Sequence, residues 1–107
     1  AKGYGARLAG VDIPKYEDVE TTFPDLRARV NKTIAFLKGL DRKKVAVAEN
    51  KEIVLKFPNT TFEFNGADYV GKFVLPNVYF HITTAYAILR NRGVALGKPD
   101  YLGGPRE

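Results

Sequence analysis

Cysteine, methionine and tryptophan are all missing from these 107 residues, and histidine occurs once. Without cysteine there is no disulfide framework, no thiolate nucleophile and no sulfur-ligated zinc, and a cytoplasmic home is expected. A catalytic metal usually takes about three protein ligands. A lone imidazole would therefore need carboxylates, or histidines from another segment, to complete such a centre, and neither a metal nor another cofactor is expected. No apolar run approaches the roughly 18 residues that span a bilayer, and no basic start leads into a hydrophobic signal core. Membrane insertion is not expected.

What is present is ordinary globular material. The hydrophobic fraction is 45%, the charged fraction 27%, and the mass 11.9 kDa, which suits one domain spanning residues 1–107. Seventeen basic against twelve acidic residues leave a net charge of +5. Glu17, Asp18 and Glu20 oppose that field locally. The densest basic run, Arg42 to Lys44 with Lys38 just before it, is the only candidate nucleic-acid surface. The aromatics fall at core spacings and not between those cations, so a nucleic acid is not the expected partner.

Tyr4 and Leu8 lie four apart and Gly10 suits a left-handed helix cap, so residues 1–9 read as the end of a helix. Residues 11–20, with Pro14 and no period, read as a loop. A clear start follows, with Thr22 as cap, Pro24 in the first turn and Asp25 three residues after Thr22. Phe23, Leu26, Val30, Thr33, Leu37 and Leu40 then recur at three- and four-residue spacings, one stripe that must face other helices. Residues 41–50 suggest a short helical turn. Ile53, Leu55 and Phe57 alternate, Pro58-Asn59-Thr60 turns the chain, and Phe62 and Phe64 alternate again, predicting a β-hairpin. Asn65 and Asp68 open a long apolar helix that Arg90, Arg92 and Gly93 close, and Pro76 should bend it. Val94 onward reads as an extended tail.

His81 shares one face of the long helix with Asn77, four before it, and Thr84, three after. With Tyr86 they form the candidate ligand-binding site, a polar patch at the bottom of an interhelical pocket where an imidazole could bind a ligand or move a proton. The competing reading is a buried histidine satisfied by neighbouring hydroxyls and carbonyls. Gly66 to Lys72 has phosphate-loop spacing, but Phe73 stands where Ser or Thr must hold magnesium. Asn31-Lys32-Thr33 and Asn59-Thr60-Thr61 fit the N-glycosylation pattern and read as chance matches.

Ala6-Arg7-Leu8-Ala9-Gly10-Val11, Thr33-Ile34-Ala35-Phe36-Leu37, Leu75-Pro76-Asn77, the run from His81 to Arg90 and the run from Gly93 to Gly103 resemble a family of bacterial and fungal proteins of no assigned function, the domain of unknown function numbered nineteen ninety-three. The resemblance covers essentially the whole chain and roughly the C-terminal two thirds of a typical member. That family looks like a branch of the DinB-like four-helix bundles, whose better known members hold a metal with three histidines, two of them four apart on the last helix. Residue by residue, His81 matches the first of that pair, while Ala85 occupies the place of the second. The resemblance thus implies the fold and a pocket, and does not carry the superfamily's metal-dependent activities to this chain.

The expectation is a mainly α chain, the C-terminal portion of a DinB-like antiparallel helical bundle, with a small β-hairpin before its last long helix. Two amphipathic helices and a hairpin expose more apolar surface than they cover, so missing N-terminal helices or a second copy should complete the bundle. The expected function is a binding module with a small-molecule ligand and no catalysis. A DinB-like enzyme with a degenerate metal site and a basic-surface nucleic-acid binder are the alternatives.

Overall fold

In the computed structural model, which describes residues 1–104, the chain forms two compact units, one of residues 1–70 and one beginning at Gly71. Helix α1, Lys2–Ala9, opens the first unit and stops at Gly10, whose φ of 69° is left-handed. Glycine takes that conformation without a Cβ penalty, and the turn lets the Val11 amide donate back to the Ala6 carbonyl at 3.0 Å. Ala6 and Ala9 are buried. A Cβ on Gly5 would lie 2.6 Å from Leu37 Cδ2 and 2.8 Å from Leu40 Cδ1, so the missing side chain is what admits these two leucines.

Residues 11–21 have no regular structure, as predicted. Arg29 holds them to the next helix. Its guanidinium meets Asp18 at 2.9 Å and Glu20 at 2.8 Å, and donates to the Glu17 carbonyl at 3.0 Å. Helix α2, Phe23–Lys38, begins at a complete capping box, with the Asp25 amide donating to the Thr22 hydroxyl and the Thr22 amide to the Asp25 carboxylate. Its expected stripe divides in two. Thr33, Leu37 and Leu40 are half-buried, whereas Phe23, Leu26 and Val30 are exposed to 87%, 50% and 56%. The correction has a simple cause: α1 is eight residues long against sixteen for α2, too short to cover the whole stripe.

Asp41 caps a short helix α3, Arg42–Ala46, and a 3-10 turn at Ala48–Asn50 leads into the hairpin. Strands β1, Glu52–Phe57, and β2, Thr60–Asn65, pair antiparallel with Ile53 opposite Phe64 and Leu55 opposite Phe62. Ile53 and Leu55 are buried. Rings continue from the hairpin tip inward, Phe57 to Phe62 at 5.9 Å, Phe62 to Phe64 at 6.2 Å and Phe64 to Tyr69 at 6.0 Å. Asn65 caps the one-turn helix α4, Gly66–Asp68, accepting from the Asp68 amide at 2.8 Å. Tyr69 is fully buried, and its hydroxyl accepts from Arg7 at 3.2 Å. A core of Ala6, Ala9, Ala48, Ile53, Leu55 and Tyr69 is small for such a chain.

The long helix read from Asn65 onward is not uniform. A π-helical stretch, Tyr69–Val74, stands between α4 and helix α5, Leu75–Asn91. Pro76 falls in the first turn of α5. Having no N–H, it cannot donate to the Lys72 carbonyl, so the regular ladder has no bond to make there, and the expected kink takes the form of a widened turn. The side-chain amide of Asn77 donates to the adjacent carbonyl, that of Phe73, at 2.7 Å. Gly93, with φ 87°, ends the helix. The tail is not wholly extended: helix α6, Lys98–Tyr101, forms where Gly97 donates to the Asp100 carboxylate at 2.8 Å. Leu96 and Tyr101 are half-buried and Leu102 is exposed. Residues 105–107 of the expected tail lie outside the described residues.

Candidate functional site

No residue of α5 is buried. His81 is exposed and meets the neighbouring Phe80 ring edge-on at 5.4 Å. It lines a shallow groove of about 380 Å³ whose α5 wall is His81, Ile82, Ala85, Tyr86 and Leu89. The opposite wall comes from the tail, as Leu96, Asp100 and Tyr101. Spacing explains the α5 wall, because positions 81, 82, 85, 86 and 89 repeat at one-, three- and four-residue steps on one helical face. The tail folds back because Asp100 closes the first turn of α6, which sets Tyr101 against Tyr86 with ring centroids 6.2 Å apart in an edge-to-face pair. Tyr86 keeps its hydroxyl occupied by accepting from Arg90 at 2.9 Å.

Of the four residues expected to form the site, His81 and Tyr86 come together in this groove. Asn77 is committed to the Phe73 carbonyl. Thr84 lines a different depression with Thr83, Ala87, Ile88, Asn91 and Arg92. A hydrophobic groove with polar groups at its rim binds flat or aliphatic molecules by burial and uses the rim for orientation. Leu96, Asp100 and Tyr101 escape a reading by helical spacing because they come from a separate element. A local signal exists: Gly97-Lys98-Pro99-Asp100 places Pro in a first turn and an acid three residues after the cap.

The place four residues after His81 is the Ala85 methyl, an apolar floor between the imidazole and Leu89. Among the described residues no three histidine or carboxylate side chains stand close enough to share a metal ion. The described residues by themselves thus offer no three-ligand metal centre.

A second concavity, in the first unit, mixes charged and apolar side chains. It is lined by Lys15, Tyr16, Glu20, Arg29 and Lys32 among others. Lys32, Lys2 and Arg29 approach the Tyr16 ring, at 4.4, 5.0 and 5.6 Å from its centroid, a cation–π cluster that pins the loop. Both acidic and basic groups line it, which suits a clasp between loop and helix.

A mostly helical chain that carries one antiparallel hairpin ahead of a long C-terminal helix defines the class. A family model for a domain of unknown function, DUF1993, matches residues 1–102, and the chain belongs to that family. It is similar to the 1.83 Å crystal structure of a DinB family member from Shewanella denitrificans, with a TM-score of 0.84 and 39% identity. That match covers 100% of this chain and 61% of the other. No protein of curated function matches the sequence. Among the described residues no helix is long and apolar enough to cross a membrane.

Proposed function

We propose that this chain is the C-terminal portion of a DinB-like helical bundle acting as a cytoplasmic binding module, with a small aromatic or aliphatic ligand held in the α5–α6 groove. The observation that carries the reading is the groove itself: an apolar trough with one imidazole and the Tyr86–Tyr101 pair along its walls. His81 orients the ligand through a ring nitrogen, and Ala85 leaves room for it. No nucleophile activated by a base is placed there, since among the described residues the single histidine has neither a hydroxyl nor a carboxylate hydrogen-bonded to it. Binding without turnover is the simplest chemistry that fits.

Indole serves as the probe. Titration followed by amide and imidazole NMR shifts should give saturable changes confined to residues 81–89 and 96–101. Ala85→Phe, which fills the floor, should remove them, and His81→Ala should weaken them. Shifts that do not saturate, or that persist unchanged in Ala85→Phe, would refute the assignment.

A further inference from the structure

The groove between α5 and α6 carries one carboxylate and no cation to balance it. Ile82, Ala85, Leu89 and Leu96 make its lining largely apolar, and neither lysine nor arginine contributes to it. Asp100 stands on the α6 wall, across from the helix that carries His81. One oxygen of that carboxylate, Oδ2, accepts the Gly97 amide at 2.8 Å and closes the first turn of α6. Among the described residues no group donates to the other oxygen, and no lysine or arginine comes within ion-pair distance of Asp100. Two cations close to it in sequence or fold are placed elsewhere. Arg90 is engaged on the Tyr86 hydroxyl at 2.9 Å, and Lys98 lines a separate hollow with Thr83, Tyr86 and Tyr101.

A negative group at the edge of an apolar trough selects ligands by sign. An uncharged flat molecule gains by burial alone, and a carboxylate in the same trough is repelled by Asp100. An ammonium group does the reverse, because it pairs with the open carboxylate oxygen and is attracted to aromatic faces as well. Tyr101 follows Asp100 directly and pairs with Tyr86 at 6.2 Å, so both rings line the groove beside the charge. A ring N–H or O–H on the ligand suits the imidazole of the opposite wall, since a neutral imidazole keeps one acceptor nitrogen.

We infer that the ligand class of this groove is the arylalkyl amine, with a flat ring in the apolar trough and a cationic amino group on Asp100. The inference rests on the groove being a ligand site and adds the sign of the ligand's charge. Asp100 is exposed, so water and salt weaken the pairing. The expected gain is accordingly moderate, about three- to tenfold in Kd.

The test compares three molecules that share one ring: indole, tryptamine and indole-3-propionate, the last with a carboxylate at the end of a similar arm. Each is titrated into the whole chain at neutral pH, where the amine is cationic, and followed by amide NMR shifts. Tryptamine should bind about three- to tenfold tighter than indole, and indole-3-propionate more weakly than indole. The tryptamine advantage should shrink as salt is raised. Asp100→Asn removes the charge but keeps an oxygen to accept the Gly97 amide, and native shifts for Tyr86 and Tyr101 check that α6 is retained. In that variant the ratio of tryptamine to indole affinity should fall to near unity. If the variant loses its native spectrum, the salt response of the parent decides. The inference is overturned if tryptamine binds no tighter than indole, if indole-3-propionate matches tryptamine, or if the advantage survives Asp100→Asn or is indifferent to salt. Binding by none of the three refutes the groove reading itself, whereas saturable indole binding without preference for the amine sinks this inference alone.

Discussion

Replacing Gly66 by alanine tests the tightest approach to backbone that any glycine makes among the described residues. A Cβ built on Gly66 would stand 1.7 Å from the Ala48 carbonyl oxygen and 2.6 Å from its carbon. An ordinary carbon–oxygen contact needs about 3.3 Å, so α4 and the 3-10 turn would have to part by well over an ångström. Neither wall is a side chain that can rotate away. Overpacking commonly costs about 1–3 kcal/mol, and a clash against backbone belongs at the upper end. The alanine also restricts the unfolded chain, a gain of about 0.4–1 kcal/mol. The net is a loss of about 2 kcal/mol. With a urea slope near 1 kcal/mol/M for a unit this small, the midpoint should fall by about 2 M. Tyrosine fluorescence and far-ultraviolet circular dichroism would follow the transition. Gly71→Ala is the paired control, since nothing lies within 4 Å of the place its Cβ would take and its φ is not left-handed. It should be neutral or slightly stabilising. Equal stability of Gly66→Ala and the parent would refute the reasoning.

Three further outcomes follow from the same contacts. Thr22→Ala removes the cap of α2 and should cost about 1 kcal/mol in urea unfolding. The Thr22 hydroxyl and the Thr21 amide hold the Asp25 carboxyl below its ordinary range. A depressed folded-state value means that its contribution is present above the ordinary aspartate range, about 4, and is lost as pH falls through the lower folded value. Asp25→Asn should therefore flatten the stability–pH curve in that acid window, and an unchanged curve would count against the capping box. Arg29→Ala releases the Glu17, Asp18 and Glu20 contacts, so limited proteolysis should cut the 11–21 loop faster than in the parent; identical cleavage rates would deny Arg29 its clasp.

Sequence is legible where the physics is local. The Thr22–Asp25 capping box, the left-handed Gly10, the Pro58-Asn59 hairpin and the Gly93 stop each depend on a few adjacent residues. The π-helical stretch is not legible in this way, because Pro76 announces a broken ladder without saying how the neighbouring carbonyls will rearrange. The α6 turn replaces part of an expected extended tail, although Gly97 and Asp100 spell its start. The face shared by Asn77, His81 and Thr84 is a matter of helical spacing. Which of them borders the groove depends on where the tail returns, and a period along one helix carries no information about that.

The widened turn at Tyr69–Val74 works as an inserted register shift. A π stretch holds about one residue more than the α-helix it replaces, and one residue on a helix is about 100° of rotation. Shortening the chain by a single position there would let the helix close up into a regular ladder. Because His81, Tyr86 and Tyr101 all follow that extra residue, the mutual arrangement that α5 and α6 give them would survive the change.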